Sequence, residues 1–126
     1  MAGLTSALCT SFKVELLEGD HDFNNGADAF KVALFKANAS ITGTYDATTT
    51  NYSDMTGNSD ELAATGGYST GGFALTNVNP TSTSTTAFTD FSANASWSSA
   101  TFTTRGCLIY NTSDSNSAVA LSLIHI

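Results

Sequence analysis

The segment Gly106–Asn111 places Cys107, Leu108, Ile109 and Tyr110 in unbroken succession. Successive side chains of a strand point to opposite faces, so an apolar run without polar alternation must be covered on both sides. Such a segment is a central strand, and the remaining chain has to supply its neighbours and two covering layers. The chain supplies them in short pieces. Over residues 29–36, Phe30, Val32 and Leu34 alternate with Lys31, Ala33 and Phe35. Residues 73–78, 87–91, 100–105 and 117–120 give further strand-length runs, the third centred on Phe102, with Trp97 just before it. Asn24-Asn25-Gly26, Gly66-Gly67, Gly71-Gly72, Asn79-Pro80 and the polar residues 111–116 separate them as turns. Many short strands between small polar turns predict a mainly β protein, an antiparallel β-sandwich of jelly-roll-like form.

One N-terminal α-helix accompanies the strands in this reading. Leu4, Leu8, Phe12 and Leu16 recur every four residues, and Leu17 joins their face. The pattern predicts a helix over about 4–18, capped by Thr5 or Ser6 and stopped at Gly19. Residues 38–58 are rich in Thr, Ser and Asn and predict a polar arm with little regular structure. Residues 1–120 are expected to form a single domain. Residues 121–126 depart from the preceding composition and read like one translated frame of a sequencing-library adaptor. They are therefore expected to be a non-native tail from a truncated read, with the native chain continuing past Ala120.

Composition narrows the function classes. Ser and Thr make up 36 of 126 residues, while charged residues are 12% and the formal net charge is −7. The only cations besides histidine are Lys13, Lys31, Lys36 and Arg105, dispersed along the chain. Nucleic-acid binding needs several cations on one face, so no nucleic-acid partner is expected. An anionic membrane surface is disfavoured on the same ground, and no 18-residue apolar run predicts a membrane span. Residues 1–13 show neither a basic leader nor a long apolar stretch, so no signal peptide is expected. Cys9 and Cys107 read as free thiols in apolar surroundings.

The candidate chemical motifs are sparse. Asp20-His21-Asp22-Phe23-Asn24-Asn25-Gly26 begins like a calcium loop, but its sixth residue is Asn25 and its twelfth is Lys31, where glycine and a bidentate glutamate belong. His21 has only Asp20 and Asp22 nearby in sequence, too few for a metal centre, and no identifiable nucleophile. Residues 67–72 have phosphate-loop glycine spacing without the lysine, so their glycines read as backbone geometry beside a strand. Asp60-Glu61 and Glu15 with Glu18 read as solvated acids. No catalytic residue, metal ligand or cofactor is assigned. Trp97, Phe102, Tyr110, Phe88 and Phe91 read as core at strand spacing. Arg105, if partly buried, needs a carboxylate, either Asp90 or one from a neighbouring subunit.

Several segments, in order, carry a resemblance. They are Ser11-Phe12-Lys13-Val14-Glu15-Leu16-Leu17-Glu18-Gly19, His21-Asp22-Phe23, Phe30-Lys31-Val32-Ala33-Leu34-Phe35, Asp46-Ala47-Thr48-Thr49-Thr50 and Gly67-Tyr68-Ser69-Thr70-Gly71-Gly72. The most specific is Ala100-Thr101-Phe102-Thr103-Thr104-Arg105-Gly106-Cys107-Leu108-Ile109-Tyr110-Asn111. Together they resemble a family of small virion structural proteins of tailed bacteriophages. The resemblance implies a non-enzymatic capsid decoration or cement protein, assembled in the bacterial host cytoplasm and located in the virion. Its partners would be the major capsid protein or other virion proteins, and a homo-oligomer is compatible with it. Phe12, Leu16, Tyr68, Trp97, Phe102, Arg105 and Tyr110 are the interface or structural candidates. Alternative readings are a tail, neck or head-fibre component, a carbohydrate-binding β-sandwich with Trp97, Tyr68 and Tyr110 exposed, and a hydrolase using His21.

Overall fold

The computed structural model describes residues 3–123. The central-strand expectation for Gly106–Asn111 sets the frame. Here β1 is Gly3–Leu4, β2 Ala7–Leu8, α1 Thr10–Glu18, β3 Phe30–Leu34, β4 Thr44–Tyr45, α2 Tyr52–Gly57, β5 Phe73–Leu75, β6 Asn77–Thr83, β7 Thr86–Phe91, β8 Gly106–Asn111 and β9 Ser117–Leu123. The main sheet has the order β2-β9-β8-β3-β5, with every neighbouring pair antiparallel. Two small pairs flank it, a parallel β1-β4 and an antiparallel hairpin β6-β7. The architecture is mainly β with one main helix, and its layering is consistent with a β-sandwich.

Register decides which side chains share a face. Ala33 pairs with Leu108 and Lys31 with Tyr110, so Ala33, Leu108 and Tyr110 point one way, together with Leu121 opposite Leu108. Phe30, Val32 and Leu34, opposite Asn111, Ile109 and Cys107, point the other way. Residues 38–58, expected as a polar surface arm, cover the first face instead. Tyr45 packs on Phe35 with ring centroids 4.6 Å apart, Tyr52 stacks on Tyr110 at 4.4 Å, and Ile41 and Met55 are buried in the same core. A segment this polar can form a layer because its few large side chains all turn inward. Its α2 begins with a reciprocal capping box between Asn51 and Asp54, which satisfies the free amides of the first turn.

The second face is covered at one end by α1 and residues 20–28. Phe12, Phe23, Phe30 and Phe91 form a chain of ring contacts at 5.9, 4.5 and 6.2 Å. At the other end Leu34, Leu62 and Tyr68 form a smaller core with Trp97, Phe102 and Cys107 against it. Trp97 and Phe102 lie in irregular backbone, not in the strands expected around them. Their packing needs only two anchored rings, which a loop provides.

The helix is shorter than the four-residue spacing predicted. Leu4 and Leu8 belong to β1 and β2, because their backbones pair with Tyr45 and Ala120. A leucine every four residues is equally served by two strand fragments leading into a helix. The helix ends at Gly19, whose φ of 84° lets its amide reach Leu16 O while Asp20 N–H bonds Glu15 O. Asn79-Pro80, expected as a turn, lies inside β6, where the pairing with β7 shifts between Val78 and Thr81. Proline has no N–H for a ladder, and a bulge is where a strand tolerates it. Leu121, Ser122 and Leu123 of the expected tail form the end of β9, which pairs with β8 and β2, and Leu121 is buried; this does not bear on their origin. Residues 124–126 of that expectation lie outside the described residues. No helix among the described residues is long and apolar enough to cross a membrane.

Candidate functional site

The chemistry-bearing side chains converge on three hydrogen-bonded centres. The first is His21, buried under α1, with Phe12 against its ring at 4.9 Å. Its Nε2 lies 3.1 Å from Glu15 Oε1 and 3.9 Å from Asp114 Oδ2. Asn111 Nδ2 lies 2.9 Å from His21 Nδ1 and donates to Asp28 Oδ2 at 2.8 Å, while Asn111 Oδ1 accepts the Ser113 and Asp114 amides. Those amides and the Asp28 carboxylate fix which end of the Asn111 amide is NH₂. The NH₂ therefore donates to Nδ1, and the ring proton sits on Nε2, directed at Glu15.

Glu15, His21 and Asp114 bring three ligand atoms within 4.8 Å, which tests them as a metal centre. The tautomer does not fit one. A metal on Nε2 of a neutral imidazole needs the proton on Nδ1, where the Asn111 NH₂ already points. The loop before β3 is also turned inward, since Asp22 Oδ1 accepts Asn24 N–H and Asp28 Oδ2 accepts Asp22 N–H. The group is a structural lock joining α1, the 20–28 loop and the β8–β9 turn.

The second and third centres are Asp60 and Glu61, which the sequence suggested were solvated. Asp60 is fully buried. Its carboxylate accepts the Thr42 and Gly43 amides at 2.9 and 2.8 Å, the Tyr45 hydroxyl at 2.6 Å and the Thr42 hydroxyl at 3.2 Å. Burial alone pushes this carboxyl upward, but the donors outweigh it and hold it below the usual aspartate range. Glu61 accepts the Tyr68 hydroxyl and the Gly71 amide, both at 2.7 Å, and the Tyr52 hydroxyl. Burial and the Glu61 hydrogen bond drive the Tyr52 phenol well above its ordinary value, and burial leads the rise at Tyr68 too. Neither carboxylate faces another across a cleft, so no acid–base pair for glycoside hydrolysis is formed.

The sequence candidates separate into three places. Phe12, buried, and Leu16, 47% exposed, both lie on α1. Tyr68, Trp97 and Phe102 form one ring cluster with centroids 6.1 to 6.3 Å apart. Tyr110 lies on the opposite sheet face, buried, its hydroxyl bonded to Gly71 O at 2.6 Å. Tyr68 and Tyr110 are thus linked through Gly71 and Glu61, and through Tyr52, which stacks on Tyr110 and donates to Glu61. Arg105 does not pair with Asp90. Its Nε is buried without a hydrogen-bond partner, and Asp90 accepts the Phe91 amide. Among the described residues no lysine or arginine forms an ion pair.

Sequence reasoning missed an apolar groove of about 630 Å³ between α1, the second sheet face and the β6–β7 hairpin. Leu8, Leu16 and Phe88 line it, each nearly half exposed, over a floor that includes Ile109 and Val119. Phe88, expected in the core, is therefore a groove wall. The hairpin projects from the body, exposed at every position except Asn77 and Phe91. The signal available was electrostatic: between Glu61 and Arg105 the chain has one charged residue, Asp90. Comparison of the chain with protein-family models, curated proteins and solved structures finds no match.

Proposed function

We propose that this chain is a non-enzymatic structural component of a tailed-phage virion, a decoration or cement protein on the outer face of the shell. The observation that carries the reading is where the chemistry goes. His21, Asp60 and Glu61 are each held by internal partners, and none stands beside an activated nucleophile. What the molecule offers to its surroundings is a hydroxyl-rich, nearly uncharged third, residues 62–104, on a chain of net charge −7. Such a surface adheres by shape and neutral hydrogen bonds. On a repeating lattice many weak contacts of this kind add up through multivalency. The negative charge argues against packaged DNA as the neighbour.

The sequence resemblance supports the same reading. A carbohydrate platform built from Trp97, Tyr68 and Tyr110 is disfavoured because Tyr68 and Tyr110 are buried. Purified particles carrying the chain test the proposal. The expected result is a copy number comparable with the major capsid protein and density on the outer shell. A few copies at the neck or tail would move the protein to the fibre reading. Density against the genome, or substrate turnover abolished by His21→Ala, would overturn it.

A further inference from the structure

We infer that the pocket beside Trp97 is a binding site for a neutral saccharide, with one pyranose ring seated in the corner between the Trp97 and Phe73 rings. The inference goes beyond the virion reading and does not depend on it. The site differs from the platform of Trp97, Tyr68 and Tyr110, because its second ring is Phe73. Its walls are fixed before any ligand arrives. Gly66 and Gly67, at φ of 53° and 89°, turn the chain between Thr65 and Tyr68, whose backbones bond each other in both directions. The Gly72 amide donates to Ser69 O at 2.9 Å, and the Gly71 amide donates to Glu61 Oε1 at 2.7 Å. A Cβ on Gly67 would lie 2.6 Å from Ser98 O, so this loop rests directly on residues 96–98. Trp97 is held by Tyr68, Phe73 and Phe102, with centroids 6.1, 5.9 and 6.3 Å away. A site ordered in this way loses little entropy on binding.

Chemistry selects the occupant. Besides the two rings and two glycines, the pocket is lined by Ser69, Ser96 and Ser98, and by no charged group. All three serines are exposed, and their hydroxyls make no hydrogen bond within the described residues. A phosphate, carboxylate or amine would find no counter-charge here. The Trp97 and Phe73 planes meet at 70°, whereas a flat base held between two rings needs them parallel. A pyranose matches the corner. Its C–H faces lie on aromatic rings, and the hydroxyls around its rim both donate and accept, as serine hydroxyls do. The cavity is about 320 Å³, at the small end of the roughly 300–1,000 Å³ of small-molecule sites, which suits one ring of a glycan whose remainder stays in water.

Trp97 is the only tryptophan, so its fluorescence reports this site alone. The full chain is titrated with the methyl glycosides of glucose, galactose, mannose and N-acetylglucosamine, with adenosine and glucuronate as controls. At least one glycoside is expected to shift the emission saturably, with a Kd of about 1–10 mM, and neither control is expected to do so. Phe73→Leu keeps an apolar side chain but removes the ring, and should weaken that binding at least about fivefold. Ser98→Ala should weaken it at least about threefold with an unchanged thermal melt, which carries the test if the Phe73 variant melts early. Leu17→Asp, at a position 91% exposed and outside the pocket, should leave binding unchanged. No saturable change with any of the glycosides up to about 50 mM would overturn the inference. Binding of adenosine or glucuronate in their place, or sugar binding that survives both Phe73→Leu and Ser98→Ala, would overturn it as well.

Discussion

Asp60 shows how much a single side chain organises. Four donors from residues 42, 43 and 45 converge on its carboxylate, and no cation is among them. The anion is held by dipoles alone, which makes it intolerant of change. Asp60→Asn keeps one acceptor oxygen but turns an NH₂ toward two donors. The expected loss is about 2–4 kcal/mol of unfolding free energy, read by urea denaturation. Because the folded carboxyl titrates below its unfolded value, the folded state binds fewer protons in acid. The contribution is complete above the ordinary aspartate range and disappears as pH falls through the lowered value. The asparagine variant should therefore show a flatter fall of stability with acidification than the wild type. An equal slope in both proteins would remove Asp60 from the acid transition.

At the alkaline end the sign reverses. Burial pushes the Cys9 thiol up to about 11, and burial leads the rise at Tyr45, Tyr52 and Tyr68 and lifts Tyr110 to about 12. These groups are held neutral in the folded chain, so stability is complete below their unfolded values and declines as pH rises past the ordinary 9.0 of cysteine and 10.0 of tyrosine. Tyrosinate absorbance should appear together with unfolding, not before it. Alkylation of Cys9 at about pH 8 should be slow until denaturant is added. Tyrosines ionising in a still-folded chain, as judged by circular dichroism, would contradict this. Cys9 as a thiol in apolar surroundings and Tyr110 as core were legible in the sequence, whereas the roles of Asp60 and Glu61 were not. Asp60 and Glu61 look like an ordinary acidic pair, and their donors come from residues 42 to 71, brought in by strand pairing and loop closure.

Elements differ in how much of themselves they announce. Strands β3 and β8 were readable because both of their faces are covered, which leaves an apolar signature in a few consecutive residues. The start of α1 was not, since Leu4 and Leu8 owe their burial or pairing to Tyr45 and Ala120, far along the chain. The layer formed by residues 38–58 was hidden for a similar reason. Its inward side chains, Ile41, Tyr45 and Met55, follow neither strand nor helix period. Local geometry at two positions separates strain from capping. Gly72 has φ of 93°, and a Cβ there would overlap the Val32 carbonyl oxygen. Gly72→Ala adds left-handed strain to a backbone collision where β5 meets β3, so it should cost at least ~2 kcal/mol. Asn51→Ala removes only the α2 cap and should cost ~1 kcal/mol. Thermal melts of the two variants check the order; a smaller loss for Gly72→Ala would mean that the β3–β5 contact relaxes freely.

Across the whole molecule, order and exposure are unevenly divided. The main sheet is covered on one face by residues 38–58 and on the other by α1 and the two ring clusters. The hairpin shares none of that cover beyond its base at Asn77 and Phe91, where Asn77 Nδ2 is bonded to Asn24 O and Asp28 O. Its cross-strand hydrogen bonds can therefore open without exposing core, whereas those of β3 and β8 cannot. Hydrogen exchange of a dilute sample should show amides of residues 78–90 deuterated while those of β3 and β8 remain protected to near the global unfolding limit. The same hairpin should be the first site cut by a protease that accepts phenylalanine, at Phe88, since residues 77–91 contain no lysine or arginine for trypsin. Protection of the hairpin equal to that of β8 in dilute solution would mean that it folds as one cooperative unit with the sheet.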